Sequence, residues 1–553
     1  MVEKFLSSRW AKFLFAMSVM AFVGLQISSG NRIGLILNIP VAFILALYME
    51  CRYKVLAKLF EIKSKKYVFV SLPIAVYTVI EIVLNFYRWI FFASTENSLA
   101  LEIRSHLSEQ IFLRIGLYTV AVVAGIVTLF VVFATVYAIV SRFKKYALLL
   151  TEKSDRIERW YVIIGTVVFS ALIIFIYSVT VIAYTTQVPF DLIFTMDSGF
   201  YVETDTFFNL RAPENDIRQP LFALLTMPFA IVAKILAIPF FFLPSAYILI
   251  MQIIQVAALL IMAVLMVQMA GINRGFSKVM FLILYTMTYP VLLFSFTVEQ
   301  YIPSVFIAVL TIYICSYQKK LNIWLVALST GIILTNAIIV PFVTYEKKLM
   351  GWLQSIAKTV AAFIVLCVFS GKLPILFGAF GRIRSLLRFA DIGIGYNTDA
   401  GYNKLYQFTH FVENCFIAPQ TDIVYRHGFP TFQLATPTGI SLLGVVLLCI
   451  PLVSVIINRK IMFAKTCGLW ILFSIAILYV IGWGSPENGM ILYSLYFSWA
   501  FFGLVFLFFE KLLKKQKIIR YAVYSALFIV MSIININGII ELVQFGIEHY
   551  PAR

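Results

Sequence analysis

Five carboxylates, Asp197, Glu203, Asp205, Glu214 and Asp216, fall within the stretch Met196–Phe222, which closes on Arg218-Gln219-Pro220-Leu221. The whole chain of 553 residues has only 26 acids, so this is an acidic island between long apolar segments. Carboxylates at a membrane surface can take a proton from an attacking hydroxyl or share a divalent cation. By residue type alone Asp197 reads equally as an ordinary solvated loop carboxylate, and Glu203, Asp205, Glu214 and Asp216 read as solvated or capping groups. A further acid, Glu299, stands between two apolar runs, where a carboxylate is a candidate site residue. Anions call for guanidinium forks, and Arg218, Arg382, Arg384 and Arg388 are candidates to hold a phosphate. The last three do not share one helical face; anchoring an interfacial helix to lipid head groups is the competing reading. Glu487-Asn488, followed by Tyr493, Tyr496 and Trp499, reads either as a second substrate-facing set or as a polar turn with an aromatic interface belt. His410 and His427 read as loop or packing residues.

The elements that position these groups are membrane spans. The chain is 62% hydrophobic and 13% charged, with a mean hydropathy of +0.94, far more apolar than soluble domains. Many runs reach the ~20 apolar residues that cross a bilayer as a helix, and none shows the short alternating pattern of a barrel. The fold class is therefore all-α and polytopic. The net charge of +18 follows from basic loops between spans, as the positive-inside rule expects, and gives no reason to invoke nucleic acid. Cys51, Cys315, Cys367, Cys415, Cys449 and Cys467 are scattered without a CxxC pair, which argues against zinc and disulfide frameworks. Lys4, Arg9 and Lys12 precede an apolar run without a small-residue cleavage site, so an uncleaved first span is expected.

Four spans, at about 12–29, up to 49, 67–92 and 112–140, form an N-terminal module over 1–159, ending in the basic loop with Arg142, Lys144, Lys145, Arg156 and Arg159. A core over 160–372 contains the first outer loop (187–220) and a segment at 221–243. Pro228, Pro239 and Pro244 predict that this segment breaks into short pieces and lies in or dips into the outer face. Spans are expected at 246–270, 279–297, 301–316 and 357–372. Residues 322–345 read as two short helices with Thr335-Asn336 at the apex. An extracytoplasmic loop region follows at 373–437, too long to lack a use and too aromatic for disorder. A C-terminal four-span module occupies 438–553. With this register the acidic stretch, Glu299, the apex, the long loop and the Glu487 turn all face outward.

At these residues the chain resembles the GT-C superfamily of integral-membrane glycosyltransferases, in the branch of the protein O-mannosyltransferases and the lipid A aminoarabinose transferase. That branch carries an acid followed closely by an aromatic in its first outer loop, then a basic-Pro-Pro-Leu or His-Pro-Leu-type sequence opening an interfacial helix. Asp197 with Tyr201, then Arg218-Gln219-Pro220-Leu221, stand in that pattern. Glu299-Gln300-Tyr301-Ile302-Pro303 takes the place of a second acid before a proline-bearing helix, and Thr335-Asn336 that of a Thr-Lys-type apex. Gln219, Asn336 and Glu299 depart from the commoner proline or histidine, lysine and aspartate. The resemblance covers about residues 160–345; beyond 345 only the layout matches, and the spans at 1–150 lie outside it.

The resemblance implies a GT-C-like helical core and inverting transfer of a sugar from a polyprenyl-phosphate donor to an extracytoplasmic lipid, glycan or protein acceptor; the spacing of basic loops and the absence of organelle signals suit a bacterial plasma membrane, with a eukaryotic endomembrane the alternative. Asp197 would be general base or ligand to Mg²⁺ or Mn²⁺, with Glu299 its partner carboxylate; Tyr201, Arg218, Arg382, Arg384, Arg388 and Glu487 would bind substrate. Two other functions compete: a lipid-linked sugar flippase or transporter, and a polysaccharide polymerase or ligase working through Arg382, Arg426 or His427.

Overall fold

The computed structural model describes residues 8–27, 32–61, 65–92, 98–108, 111–151, 154–186, 192–212, 218–243, 245–273, 275–339, 349–378, 403–484 and 490–552. Arg382, Arg384, Arg388, Glu487, Glu214 and Asp216 lie outside the described residues. Eleven helices among the described residues are long and apolar enough to cross a membrane, or up to twelve if a bent pair is one span. The protein is an all-α, polytopic integral membrane protein whose one sheet among these residues is a two-stranded hairpin.

Helices α1 (Arg9–Gln26), α2 (Arg32–Tyr53), α3 (Val55–Leu59), α4 (Lys65–Phe92), α5 (Ser98–Ser108) and α6 (Ile111–Thr151) come first. The long members α1, α2, α4 and α6 pack chiefly on one another. Ser18 of α1 shows how close they come: its Oγ donates to the Val127 carbonyl at 2.7 Å and accepts from the Val131 amide at 3.0 Å. This bundle is tied to the rest by Asn38, which donates to the Val368 carbonyl and accepts from the Leu373 amide, both at 3.0 Å.

The core continues with α7 (Arg156–Val179), α8 (Ser198–Glu203), α9 (Phe222–Ala237), α10 (Ala246–Ala270), α11 (Gly275–Thr286), α12 (Tyr289–Phe296), α13 (Tyr301–Gln318), α14 (Ile323–Ile332) and α15 (Leu349–Phe369). The chain then forms α16 (Lys404–Asn414), β1 (Thr421–Arg426), β2 (Phe429–Leu434), α17 (Leu442–Ile457), α18 (Met462–Ser474), α19 (Ser494–Leu512) and α20 (Lys517–His549). Asp155 and Glu158 make a capping box at the start of α7, and Lys278 Nζ of α11 donates to both carboxylates, at 2.6 and 2.8 Å.

Two expectations change. The segment at 221–243 is not broken by Pro228: α9 runs through it and, with a 3-10 turn, makes a 19-residue helix long enough to cross. Proline removes one donor, but Phe222, Ala223, Thr226, Met227 and Ala230 bury one face, and packing on α10 and α14 holds the helix. The expected span at 279–297 is instead two helices bent by 57°. The carbonyl freed at the break, Met287, accepts from Asn535 Nδ2 of α20 at 2.6 Å, which also donates to the Phe416 carbonyl at 2.8 Å. The segment at 322–345 places its polar apex in a 3-10 turn, Leu334–Ile338, after the ten-residue α14; most of the return half lies outside the described residues.

Candidate functional site

Glu299 sits in the short link between α12 and α13, 2% exposed. The link forms because α12 ends at Phe296, whose carbonyl accepts from Tyr177 Oη of α7 at 3.0 Å. Gln252 of α10 donates to the Phe294 and Ser295 carbonyls, both at 2.8 Å. Side chains from neighbouring helices thus satisfy a helix end buried in the core. Glu299 then turns to the first loop. Its Oε1 accepts from the Asp197 backbone amide at 2.7 Å, and its Oε2 accepts from the Gln300 amide at 3.2 Å.

Asp197 is exposed and precedes α8, without capping it by its side chain. The approach to Asp197 is fixed by the hairpin. The Phe194 amide donates to the Phe432 carbonyl at 2.6 Å and the Phe432 amide to the Leu192 carbonyl at 2.8 Å, a parallel bridge to β2. The loop expected at 373–437 therefore contributes a supporting strand. Tyr201 is fully buried, packed between Phe207 and Phe222; it anchors α8, and its ring is part of the core.

Arg218 reaches the same region through backbone pairing with the apex. The Leu334 amide donates to the Arg218 carbonyl at 3.0 Å, and the Leu221 amide to the Gly331 carbonyl at 2.7 Å. Gly331 permits this approach: a Cβ there would meet Leu221 Cδ1 at 2.3 Å. Asn336 is buried and donates to the carbonyls of Ser304 and Ser329 at 3.3 and 3.1 Å. Tyr496 Oη of α19 donates to Asn336 Oδ1 at 2.5 Å and accepts from Thr335 Oγ1 at 3.0 Å. These groups close a cavity of about 200 Å³, lined by Arg218, Gln300, Tyr301, Thr335, Tyr493 and Tyr496 among others. Asp197, Glu299, Arg218 and Tyr493 all lie within electrostatic reach of Tyr301. Trp483 Nε1 donates to Tyr493 Oη at 3.0 Å on the far wall.

Comparison with protein-family models, curated proteins and solved structures gives no match for this chain. The site therefore rests on its own geometry.

Among the candidate residues, the fold joins Glu299 to the Asp197 amide, sets Arg218, Thr335 and Tyr496 on the cavity wall, and buries Tyr201 in the core. Arg426 and His427 lie elsewhere, at the exposed tip of the hairpin. His410 Nε2 donates to the Gly439 carbonyl, 3.2 Å away, outside this cavity. Asp205 is not a solvated carboxylate: it accepts from Lys234 Nζ at 2.8 Å and from Tyr247 Oη at 3.0 Å, and Glu81 of α4 lies 3.4 Å from the same ammonium. Burial pushes the Asp205 carboxyl up, against the pull of Lys234 and Tyr247. Sequence reasoning missed Tyr301, whose signal was its place directly after a polar pair at a helix start. It also missed Arg211, a buried guanidinium between Phe86 and Trp89 at 5.3 and 5.2 Å. Burial pushes Arg211 down to about 9, so it keeps its charge at neutral pH.

The described residues contain no group of three or more His, Cys, Asp or Glu side chains suited to a metal. Asp197 and Glu299 are two oxygen donors, and both Glu299 oxygens already accept from backbone amides. That set falls short of an octahedral Mg²⁺ shell built from carboxylates and phosphate, so no step is derived through a cation.

Proposed function

We propose that this membrane protein transfers a sugar from a polyprenyl-phosphate donor to a hydroxyl-bearing acceptor at the extracytoplasmic face of a bacterial plasma membrane. The observation that supports the reading is the bond from the Asp197 amide to Glu299, directly before the residues Gln300 and Tyr301 that line a cavity with Arg218. The acceptor hydroxyl gives its proton to the Asp197 carboxylate while its oxygen attacks the anomeric carbon from the face opposite the phosphate. The glycosidic C–O bond to phosphate breaks, and its electron pair leaves on the phosphate oxygen. Arg218 offsets that charge with a guanidinium fork. Glu299 holds the Asp197 main chain in place and is a positioning residue. The outward orientation is the reading the basic loops support when α9 lies at the outer face without crossing.

The test reconstitutes the full chain in liposomes with labelled polyprenyl-phosphate sugars and a crude envelope extract, and follows free polyprenyl phosphate. Loss of a general base slows transfer by about 10²–10⁴-fold, which is the change expected for Asp197→Asn in a protein that still inserts and folds. Unchanged turnover in that variant would remove Asp197 from the chemistry. Transbilayer movement of donor with no release of polyprenyl phosphate would instead make the protein a transporter.

A further inference from the structure

A second cleft adjoins the first. It has a volume of about 150 Å³ and is lined by Asn414 and His410 of α16, Gln420, Thr436, Thr438 and Ile491 among others. The two cavities meet at the 3-10 turn Met490–Tyr493: Met490 and Ile491 face the cleft, and Tyr493 faces the Arg218 cavity. Phe411 of the cleft and Phe497 of the cavity touch edge to face at 6.2 Å in the wall between them.

The cleft wall is polar and nearly uncharged. Asn414 is 7% exposed. Its carboxamide lines the cleft, where it can offer both a donor and an acceptor to a ligand. The side chains of Gln420, Thr436 and Thr438 stand at the open rim. Amides and hydroxyls offer both donors and acceptors, the demand made by a ligand whose groups are themselves hydroxyls. Phe411, Ile491 and Met490 supply an apolar floor for the C–H faces of such a ligand. His410 is the one titratable group on the lining, and its Nε2 is engaged at the Gly439 carbonyl.

We infer that this cleft binds a neutral saccharide chain. A peptide strand would find the Ala435 amide already donating to the Gln420 carbonyl at 3.0 Å and no amide at Pro437 or Pro419, which leaves it only the Thr436 and Thr438 amides on this lining. Among the described residues, an anionic headgroup would meet no cationic side chain on this lining beyond the imidazole of His410. As an acceptor subsite the cleft rests on the glycosyl-transfer reading, and it makes the acceptor a glycan instead of a protein or a lipid headgroup. As a saccharide site it stands without that reading.

The experiment is saturation-transfer NMR on the full chain in nanodiscs with chitotriose, maltotriose and mannotriose at millimolar concentration, alongside a neutral Gly-Ser-Thr peptide. At least one trisaccharide receives saturation from the protein. Its binding weakens about fivefold for each lost hydrogen bond in Asn414→Leu and in Thr436→Val; the second substitution lies on the exposed rim and leaves the helix packing untouched. Three outcomes overturn the inference: no trisaccharide signal, equal signal in wild type and both variants, or a signal from the peptide alone. Saccharide binding without donor consumption would sink the transferase reading and leave this one standing. Donor consumption without saccharide binding would do the reverse.

Discussion

Replacing Glu299 by glutamine isolates the contact that joins the two halves of the proposed site. The carboxylate accepts from the Asp197 amide at 2.7 Å with one oxygen and from the Gln300 amide at 3.2 Å with the other. Glutamine keeps the shape but has one acceptor oxygen, so one amide must face an NH₂ group. Glu299 is 2% exposed, so water does not replace the lost partner readily. A hydrogen bond to a charged group contributes about 1.5–3 kcal/mol, and a buried donor left unmade costs about 1–3 kcal/mol. A local loss of about 2–3 kcal/mol speeds exchange through local opening by about 30- to 150-fold, at about 1.4 kcal/mol per tenfold. Hydrogen exchange of the full chain in nanodiscs measures this on peptides covering 194–203, with α16 as an internal control. The expected outcome is faster exchange at Asp197 and α8 with α16 unchanged. Equal exchange at 194–203 in wild type and Glu299→Gln would refute the claim that Glu299 holds the Asp197 loop, and with it the positioning role.

Further outcomes follow from other contacts. A double-mutant cycle of Asn336→Ala and Tyr496→Phe, read by unfolding midpoint in mild detergent, has a coupling of about 0.5–1.5 kcal/mol from their shared hydrogen bond; strict additivity would contradict the contact. Gly331→Ala destabilises by about 1–3 kcal/mol because its Cβ collides with Leu221, and it also weakens donor binding by moving Arg218; a wild-type midpoint would show that α9 yields freely. Lys234→Met leaves Asp205 and Glu81 facing one another and lowers stability by about 3–5 kcal/mol; thermal denaturation checks it, and a neutral result would mean that the carboxylates are already protonated. Desolvation pushes the Asp155 carboxyl up, but hydrogen bonds from Lys278 and the Glu158 amide outweigh it and leave its pKa below 3.8. A carboxylate depressed on folding stabilises above its unfolded pKa and loses that effect as pH falls through the folded value. The stability difference between wild type and Asp155→Asn is therefore full near neutrality and shrinks below pH 3.8; a constant difference down to strongly acid pH would refute the linkage.

The all-α membrane architecture was legible because bilayer crossing is written into length and hydropathy: each apolar run must close its own backbone hydrogen bonds as a helix. The break inside 279–297 was not, because α11 stops at Thr286 where Asn535, far along the chain, takes the freed Met287 carbonyl. Pro228 misled for the same reason in reverse: a local rule predicts a break, and packing across α9, α10 and α14 overrides it. Asp205 read as a solvated acid because its partners, Lys234 and Tyr247, are distant in sequence. The sequence by itself determined that this is a helical membrane protein, since composition carries that, and it offered Asp197, Glu299 and Arg218 as candidates through the order of motifs that resembles a known family. Only the tertiary structure decided that a buried Glu299 grips the Asp197 amide, that the apex pairs with the Arg218 backbone, and that Tyr496 closes the cavity. Those contacts join residues 102 and 160 positions apart, and the packing of helices over such separations leaves no trace in local sequence pattern.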